Sequence, residues 1–179
     1  RRVHDMIVTV PCTPGPGCLF GSMAGNAGRV DLQGVEIVPS ITPFKGLSFG
    51  GNVTILDETH EPGISSSRPL RVPKYSASSL LQYIKSGLIS PRDRVVMSLN
   101  YTFVGDRDDI TTASTIQNHA AYDTFAAVTS YAAGIRVSHI ENEEVFVRFS
   151  NLFDRHYSEA FGFPAPPLNF VAGVKLSFE

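Results

Sequence analysis

The chain has 179 residues, of which 42% are hydrophobic and 18% are charged, and its formal net charge is -2. This near-neutral balance excludes the basic surface that is typical of nucleic-acid binding. No run of the sequence approaches 18 consecutive apolar residues, which excludes an α-helical membrane span, whereas a transmembrane strand needs only about 9 to 11 alternating residues.

The first ten residues predict a strand and contain no targeting signal themselves. Residues 1–5 are polar and lead directly into an apolar stretch at residues 6–10, with no initiator Met and no apolar signal core. If the protein belongs outside the inner membrane, we expect its targeting peptide and further sequence upstream of Arg1.

Two cysteines, Cys12 and Cys18, lie six positions apart in the segment PCTPGPGC. Its three prolines and two glycines predict a tight loop. An oxidising exterior would favour a disulfide, and two free thiols are the alternative. A zinc site would need further ligands that the neighbouring sequence lacks.

Alternation with a period of two recurs along the chain and predicts strands rather than helices. In the segment VVMSLNYTFV, Val95, Met97 and Leu99 share one face, and Ser98 and Asn100 share the other. About eight strands are predicted in this way, at residues 5–10, 30–41, 47–56, 75–85, 95–104, 122–137, 145–153 and 168–179.

The connections between these strands alternate in length. Short turns are predicted at residues 42–46, 86–93 and 141–144, and long polar loops at residues 11–28, 57–72, 105–121 and 155–167. Outer-membrane barrels have this asymmetry, because their periplasmic turns are short and their extracellular loops are long. The predicted fold class is therefore all-β, an antiparallel up-and-down transmembrane β-barrel segment.

Polar side chains fall opposite the apolar ones within each strand: Glu36, Asn52, Gln82, Asn100, Arg148 and Lys175. Because Lys or Arg on a lipid-facing position costs roughly 2 to 4 kcal/mol at the midplane, we expect this face to line a wet interior. Aromatic residues near strand ends are typical of interfacial girdles: Tyr75, Tyr83, Tyr101, Phe103, Tyr122, Tyr131, Phe170 and Phe178. Alternation alone would equally fit a β-sandwich with a dry core.

A motif of the form N-L-F-D-x-x-Y precedes a loop rich in Gly and Pro and a closing strand. It consists of Asn151, Leu152, Phe153, Asp154 and Tyr157, and the closing strand reaches Phe178. This arrangement resembles the C-terminal end of TonB-dependent outer-membrane receptors. Weaker similarities to the same family, in the same order, are GRVDLQGVEI at residues 28–37, the stretch at residues 68–79 and NYTFVG at residues 100–105.

The resemblance implies a large barrel, of about 22 strands, around an N-terminal plug. This chain would then be a partial barrel of about eight strands, at most the last third of the whole. The resemblance further implies a Gram-negative outer membrane, uptake of a ferric siderophore, haem, cobalamin or an oligosaccharide, and no enzymatic role. The implied partners are outer-membrane lipid, the barrel-assembly machinery, and TonB through the missing N-terminal part. Glu179, which follows the terminal aromatic, departs from the family pattern.

No catalytic, metal or cofactor site is predicted. The five histidines are scattered, and none has a second ligand at a suitable spacing. The acidic cluster at residues 106–109 is interpreted as a solvated loop with internal ion pairing, with a calcium site as the alternative. Ligand contacts are expected from the long loops, for which the candidates are His60, Glu61, Arg68, Asp106, Arg107, His119 and Phe161.

Two alternatives from other classes remain at this point. A complete eight-stranded barrel with an anchoring or adhesion role would require residues 6–10 to pair with residues 168–178. A soluble β-sandwich binding module would instead bury Leu99, Tyr101, Phe170 and Val174 between two sheets.

Overall fold

The structure, a computed structural model, describes residues 2–4, 7–13, 15, 16, 18, 21–26, 29–60, 70–111, 115–134 and 140–178. All the regular elements in these ranges are strands, and none of the described residues forms a helix long and apolar enough to cross a membrane. The strands are β1 (Arg2–His4), β2 (Ile7–Pro11), β3 (Ser22–Asn26), β4 (Arg29–Ile37), β5 (Ser40–Phe44), β6 (Leu47–His60), β7 (Tyr75–Ser86), β8 (Arg94–Val104), β9 (Arg107–Ile110), β10 (Ile116–His119), β11 (Tyr122–Ala132), β12 (Ile140–Ser150), β13 (Ser158–Ala160), β14 (Phe163–Pro164) and β15 (Asn169–Phe178).

One antiparallel sheet contains the long strands. Its order is β1-β4-β6-β7-β8-β11-β12-β15, and β5 pairs with β6 beside β4. Three small hairpins, β2–β3, β9–β10 and β13–β14, lie outside this sheet. In the described part of the chain β1 pairs only with β4 and β15 only with β12, so the sheet is open. The predicted partial barrel is confirmed as a fold class.

The register places one apolar row across six strands. Directly opposite residues are Phe49 and Leu81, Leu81 and Leu99, Leu99 and Ala127, Ala127 and Phe149, and finally Phe149 and Phe170. Because paired residues of neighbouring strands share a face, the apolar sides of all six strands lie together. We call this side the apolar face and the opposite side the polar face.

The polar face has its own continuous row. Asn52 pairs with Ser78, Ser78 pairs with Thr102, and Thr102 pairs with Thr124. The Ser78 hydroxyl donates a hydrogen bond of 2.5 Å to Oδ1 of Asn52. The six polar residues predicted to share this face all do so by register: Glu36, Asn52, Gln82, Asn100, Arg148 and Lys175.

No second layer of protein covers the apolar face among the residues that the structure describes. Phe170, Val174 and Phe178 are 69%, 65% and 65% exposed, and Met97 is 51% exposed. Among the side chains that the structure describes, Cys18 is the one buried hydrophobic residue. A β-sandwich would bury this face in a dry core, so that alternative is wrong for the described residues.

The N-terminal strand differs from the prediction. Residues 6–10 were expected in the main sheet, but β2 pairs with β3 in a separate hairpin, and only β1 extends the sheet. Within the described residues, the pairing of residues 7–10 with the last strand that a complete small barrel requires is therefore not formed. The predicted loop at residues 11–28 contains β3, and the structure joins Cys12 and Cys18 in it by a disulfide, with Cα atoms 6.1 Å apart.

Other boundaries also shift. The turn predicted at residues 141–144 is wrong, because these residues belong to β12 and the preceding strand ends at Ala132. Glu144 lies directly opposite Lys175, and an opposite-charge pair across two strands is favourable on a wet face. The strand predicted at residues 30–41 is divided at Pro39, whose carbonyl accepts a hydrogen bond from the Gly51 N–H at 3.0 Å.

Two of the predicted short turns are present at one end of the sheet, with narrower bounds, at residues 45–46 and 87–93. Phe44 pairs with Leu47 around a two-residue turn in which Gly46 has a φ of +91°, a conformation that favours glycine. At residues 87–93 the buried Asp93 carboxylate accepts hydrogen bonds from the N–H groups of residues 88, 89 and 90, at 2.7, 2.6 and 3.0 Å, and from a tyrosine hydroxyl at 3.2 Å. We call this end the short-turn rim and the opposite end the long-loop rim.

The Asp93 carboxyl is strongly acidic in this turn. Burial alone would raise its pKa, but the backbone N–H groups of Ile89, Ser90 and Leu88 and the Tyr131 hydroxyl lower the pKa to about 2. The carboxylate therefore remains ionised at neutral pH and holds the turn in one conformation.

Candidate functional site

Three long connections meet at the long-loop rim. The β6–β7 connection supplies Arg71, the β8–β11 connection forms the hairpin β9–β10, and the β12–β15 connection contains the hairpin β13–β14. The Arg71 N–H donates to the Asp108 carbonyl at 2.8 Å, in a backbone conformation with a φ of +63°. The rim is therefore folded, and the three connections contact one another.

Asp109 joins all three connections. Its carboxylate is fully buried and accepts hydrogen bonds from Nε of Arg71 at 2.8 Å and from the backbone N–H of Phe161 at 3.0 Å. A buried charge is stable only when it is paired and hydrogen-bonded, which these contacts provide. The interpretation of residues 106–109 as a solvated loop is wrong for Asp109 and for Arg107, which is 4% exposed.

Arg107 braces the hairpin against the last loop. Its Nη2 donates to the Glu159 carbonyl at 2.6 Å, and its guanidinium lies 5.3 Å from the centroid of the Tyr122 ring, within range of a cation–π contact. Its buried Nη1 has no hydrogen-bond partner.

His119 lies opposite Arg107 in the hairpin and is 6% exposed. Its Nδ1 is 3.2 Å from the Ala120 carbonyl, and its Nε2 is 2.8 Å from Oγ of Ser158. Because a carbonyl can only accept, we assign a proton to Nδ1; in the neutral imidazole Nε2 then accepts from the Ser158 hydroxyl. The imidazole also packs on Phe161, with ring centroids 4.6 Å apart.

A cavity of about 440 Å³ opens between the β9–β10 hairpin and the last loop. We call it the rim pocket; its ring-bearing lining residues are His119, Tyr122, His156, Tyr157, Phe161 and Pro164. Tyr122 and Tyr157 stack at 4.3 Å with an interplanar angle of 22°. Burial raises the pKa of the Tyr157 hydroxyl, and the Glu159 carboxylate raises it further, so the phenol is neutral at physiological pH.

The family-like motif shapes the last loop. Asn151 is buried with a φ of +50°; its Nδ2 donates to the carbonyls of Arg155 and Pro166 at 2.9 and 3.1 Å, and its Oδ1 accepts from the Arg155 N–H at 2.8 Å. Oδ1 of Asp154 accepts from the Leu168 N–H at 2.9 Å. These side-chain contacts close residues 151–168 into one compact loop.

The phenylalanine of the same motif lies on the other side of the sheet. Phe153 is exposed and packs edge-on against Phe125 at 5.1 Å, and Phe125 contacts Tyr101 at 4.8 Å. By register Tyr101 and Phe125 lie on the apolar face. The cluster has the position that an interfacial aromatic girdle requires. Tyr122, which was assigned to such a girdle, lies instead on the polar face beside the rim pocket, because it pairs with Val104.

Three of the seven predicted ligand candidates lie together. Arg107, His119 and Phe161 form one cluster, and Asp106 is exposed nearby and accepts from Nδ2 of Asn118 at 3.1 Å. The backbone of His60 ends β6, but the structure does not describe its side chain, and Glu61 and Arg68 lie outside the described residues, as does Glu179.

Sequence reasoning missed Arg71, Tyr122, Tyr157 and Ser158 as parts of this site. Their partners are distant in the sequence; Arg71 and Asp109, for example, are 38 positions apart. In the described part of the chain no group of three or more His, Cys, Asp or Glu side chains is placed to hold a metal ion.

No family model and no curated protein matches the sequence. Solved structures do match. A chain of the complex between FpvAI and pyocin S2 is 14% identical with a TM-score of 0.66, and the match covers 97% of this chain and 22% of that chain. The ferric yersiniabactin uptake receptor FyuA from Yersinia pestis is 21% identical with a TM-score of 0.60, and the match covers 86% of this chain and 23% of that receptor.

The chain thus spans less than a quarter of either matched protein. At these identities the matches establish the fold. The structural neighbours are TonB-dependent receptors, so the resemblance noted in the sequence is confirmed at the level of the fold.

Proposed function

We propose that this chain is the C-terminal barrel segment of a TonB-dependent outer-membrane receptor in a Gram-negative bacterium. The observation that supports this most strongly is the apolar face, which continues across six strands and which no second protein layer covers in the described residues. An apolar face of this extent requires an apolar solvent, and lipid tails provide one.

The open edges of the sheet fit the same proposal. β1 and β15 each have one paired side in the described residues, and exposed strand edges are a liability that a closed barrel removes. Further strands of the same protein would pair with both edges and complete the barrel. A plug and the segment that engages TonB belong to that further sequence.

The uptake function of the complete receptor follows from this placement. The polar face lines the interior, and the long-loop rim forms part of an external vestibule that captures a scarce ligand, of which a ferric siderophore is our first choice. No catalytic step is assigned to the chain, and barrel-assembly machinery would insert it.

Uptake in cells tests this proposal. The gene for the full-length protein is deleted and then restored, and cells receive ⁵⁵Fe as a panel of ferric chelates, with haem, cobalamin and oligosaccharide arms in parallel. We expect one arm to depend on the gene and to fail when TonB is absent. Uptake that is identical in deleted and restored cells in every arm would contradict the proposal.

A further inference from the structure

Building on the proposed function, we propose that the rim pocket binds an aromatic ring of the transported ligand by stacking. The pocket has a volume of about 440 Å³, which lies within the range of small-molecule sites. Aromatic and imidazole rings dominate its walls, and ring pairs are favourable when their centroids lie 4.5 to 7 Å apart. A flat ring entering the cavity would therefore find partners on several sides.

The polar atoms of His119 are already used within the rim. Both ring nitrogens of His119 are already engaged, one by Ser158 and one by the Ala120 carbonyl. A sugar would need hydrogen-bonding partners other than His119, because burying its hydroxyl groups without partners is unfavourable. His119 instead contributes the surface of its ring, which packs on Phe161, to the wall of the pocket.

The walls are held in place before any ligand arrives. Asp109 fixes the backbone of Phe161, and Nη2 of Arg107 fixes the backbone of Glu159 beside it. Tyr157 is stacked on Tyr122, and the Ala165 N–H donates to the Tyr157 carbonyl at 2.9 Å. A site whose side chains are already ordered loses little conformational entropy on binding.

The pocket also lies where a ligand would pass. Tyr122 lies on the polar face and begins β11 at the long-loop rim. The rim pocket therefore adjoins the outer end of the side that we assign to the barrel interior.

The test uses the full-length receptor in lipid nanodiscs and ¹⁹F NMR, with 4-fluorophenol as the aromatic probe and trans-4-fluorocyclohexanol as its aliphatic counterpart. The variants are Tyr157→Leu and Phe161→Leu. The matched control is Phe153→Leu, which removes an aromatic ring from the same loop but from the apolar face. Amide exchange of β9–β10 in each variant verifies that the rim remains folded.

We expect 4-fluorophenol to bind at least about fivefold more tightly than the cyclohexanol, and each pocket variant to lose about fivefold in affinity for it. Phe153→Leu should bind as the parent does. Equal affinity for the two probes, or an equal loss in Phe153→Leu, would overturn the inference.

The outcome is separable from that of the proposed function. If uptake requires the gene but the pocket variants bind 4-fluorophenol as the parent does, the pocket assignment fails and the receptor assignment stands. If the pocket variants lose the probe selectively but no ligand depends on the gene for uptake, the receptor assignment fails and the pocket remains a ring-binding site.

Discussion

The buried carboxylate of Asp109 should determine whether the long-loop rim is one folded unit. Asp109→Asn preserves the size of the side chain and one acceptor oxygen but removes the charge and the second acceptor. In the parent the two oxygens accept from Nε of Arg71 at 2.8 Å and from the Phe161 N–H at 3.0 Å. The substitution therefore weakens the contacts among three connections at once.

The magnitude follows from these contacts. Charge-assisted hydrogen bonds contribute about 1.5 to 3 kcal/mol each. The Arg71 side chain is 58% exposed, so solvent screening places its bond at the lower end of that range or below it. With one acceptor retained, we expect a loss of about 2 kcal/mol in the local stability of the rim, which corresponds to roughly 30-fold faster amide exchange.

Hydrogen exchange with mass spectrometry on the full-length receptor in nanodiscs measures this directly, in peptides that cover β9–β10 and residues 158–164. The control is Asp108→Asn, which removes the same charge from the neighbouring position. Equal exchange in the two variants, or an increase below about threefold in Asp109→Asn, would refute the reasoning.

Three further predictions concern the sheet and its short turns. Gly46→Ala should lower the stability of the β5–β6 hairpin by at least about 1 to 2 kcal/mol, because the turn needs a positive φ and an added Cβ would clash with the Ile84 carbonyl oxygen. Gly50→Ala should not, because its Cβ would make only an ordinary contact of 3.9 Å with the Pro39 carbonyl oxygen; urea unfolding in lipid vesicles compares the two variants. The pKa of the Asp93 carboxyl is lowered to about 2 in the folded state, so the carboxylate should stabilise the turn fully above about pH 4 and lose this effect as the pH falls towards 2. Amide exchange of the turn, normalised to unfolded peptides, measures the loss. It should occur in the parent and be absent in Asp93→Asn. Leu99→Lys should destabilise the vesicle-inserted protein by about 2 to 4 kcal/mol and Asn100→Lys by much less, as measured by urea titration. Equal losses in the two variants would contradict the assignment of the apolar face to lipid and of the polar face to the interior.

The sheet could be predicted from the sequence because strand periodicity is a local property. The row that contains Leu99 and Phe170 is visible as alternation, and the register then aligns rows that each strand already carries. The turn at residues 141–144 was mispredicted because polarity was interpreted as a turn signal. Glu144 lies instead within a strand, directly opposite Lys175, and that position depends on the pairing of β12 with β15.

The site was predictable only in part. Arg107, His119 and Phe161 were candidates because they occur in long loops, but the interactions that bring them together join residues 38, 39 and 52 positions apart. Such contacts depend on how the loops fold over the rim, which no local pattern encodes. The burial of Asp109 is the clearest example, since four charged residues in succession favour a solvated loop until Arg71 is known to lie beside them.

Nitroxide scanning of residues 95–104 in the full-length protein, reconstituted in lipid, tests the central claim most directly. Labels at Val95, Met97, Leu99, Tyr101 and Phe103 should collide preferentially with oxygen dissolved in the bilayer, and labels at the alternate positions with a water-soluble nickel chelate. An apolar set that reaches the chelate as readily as the polar set, or that neither reagent reaches because protein covers it, would contradict a lipid-facing wall.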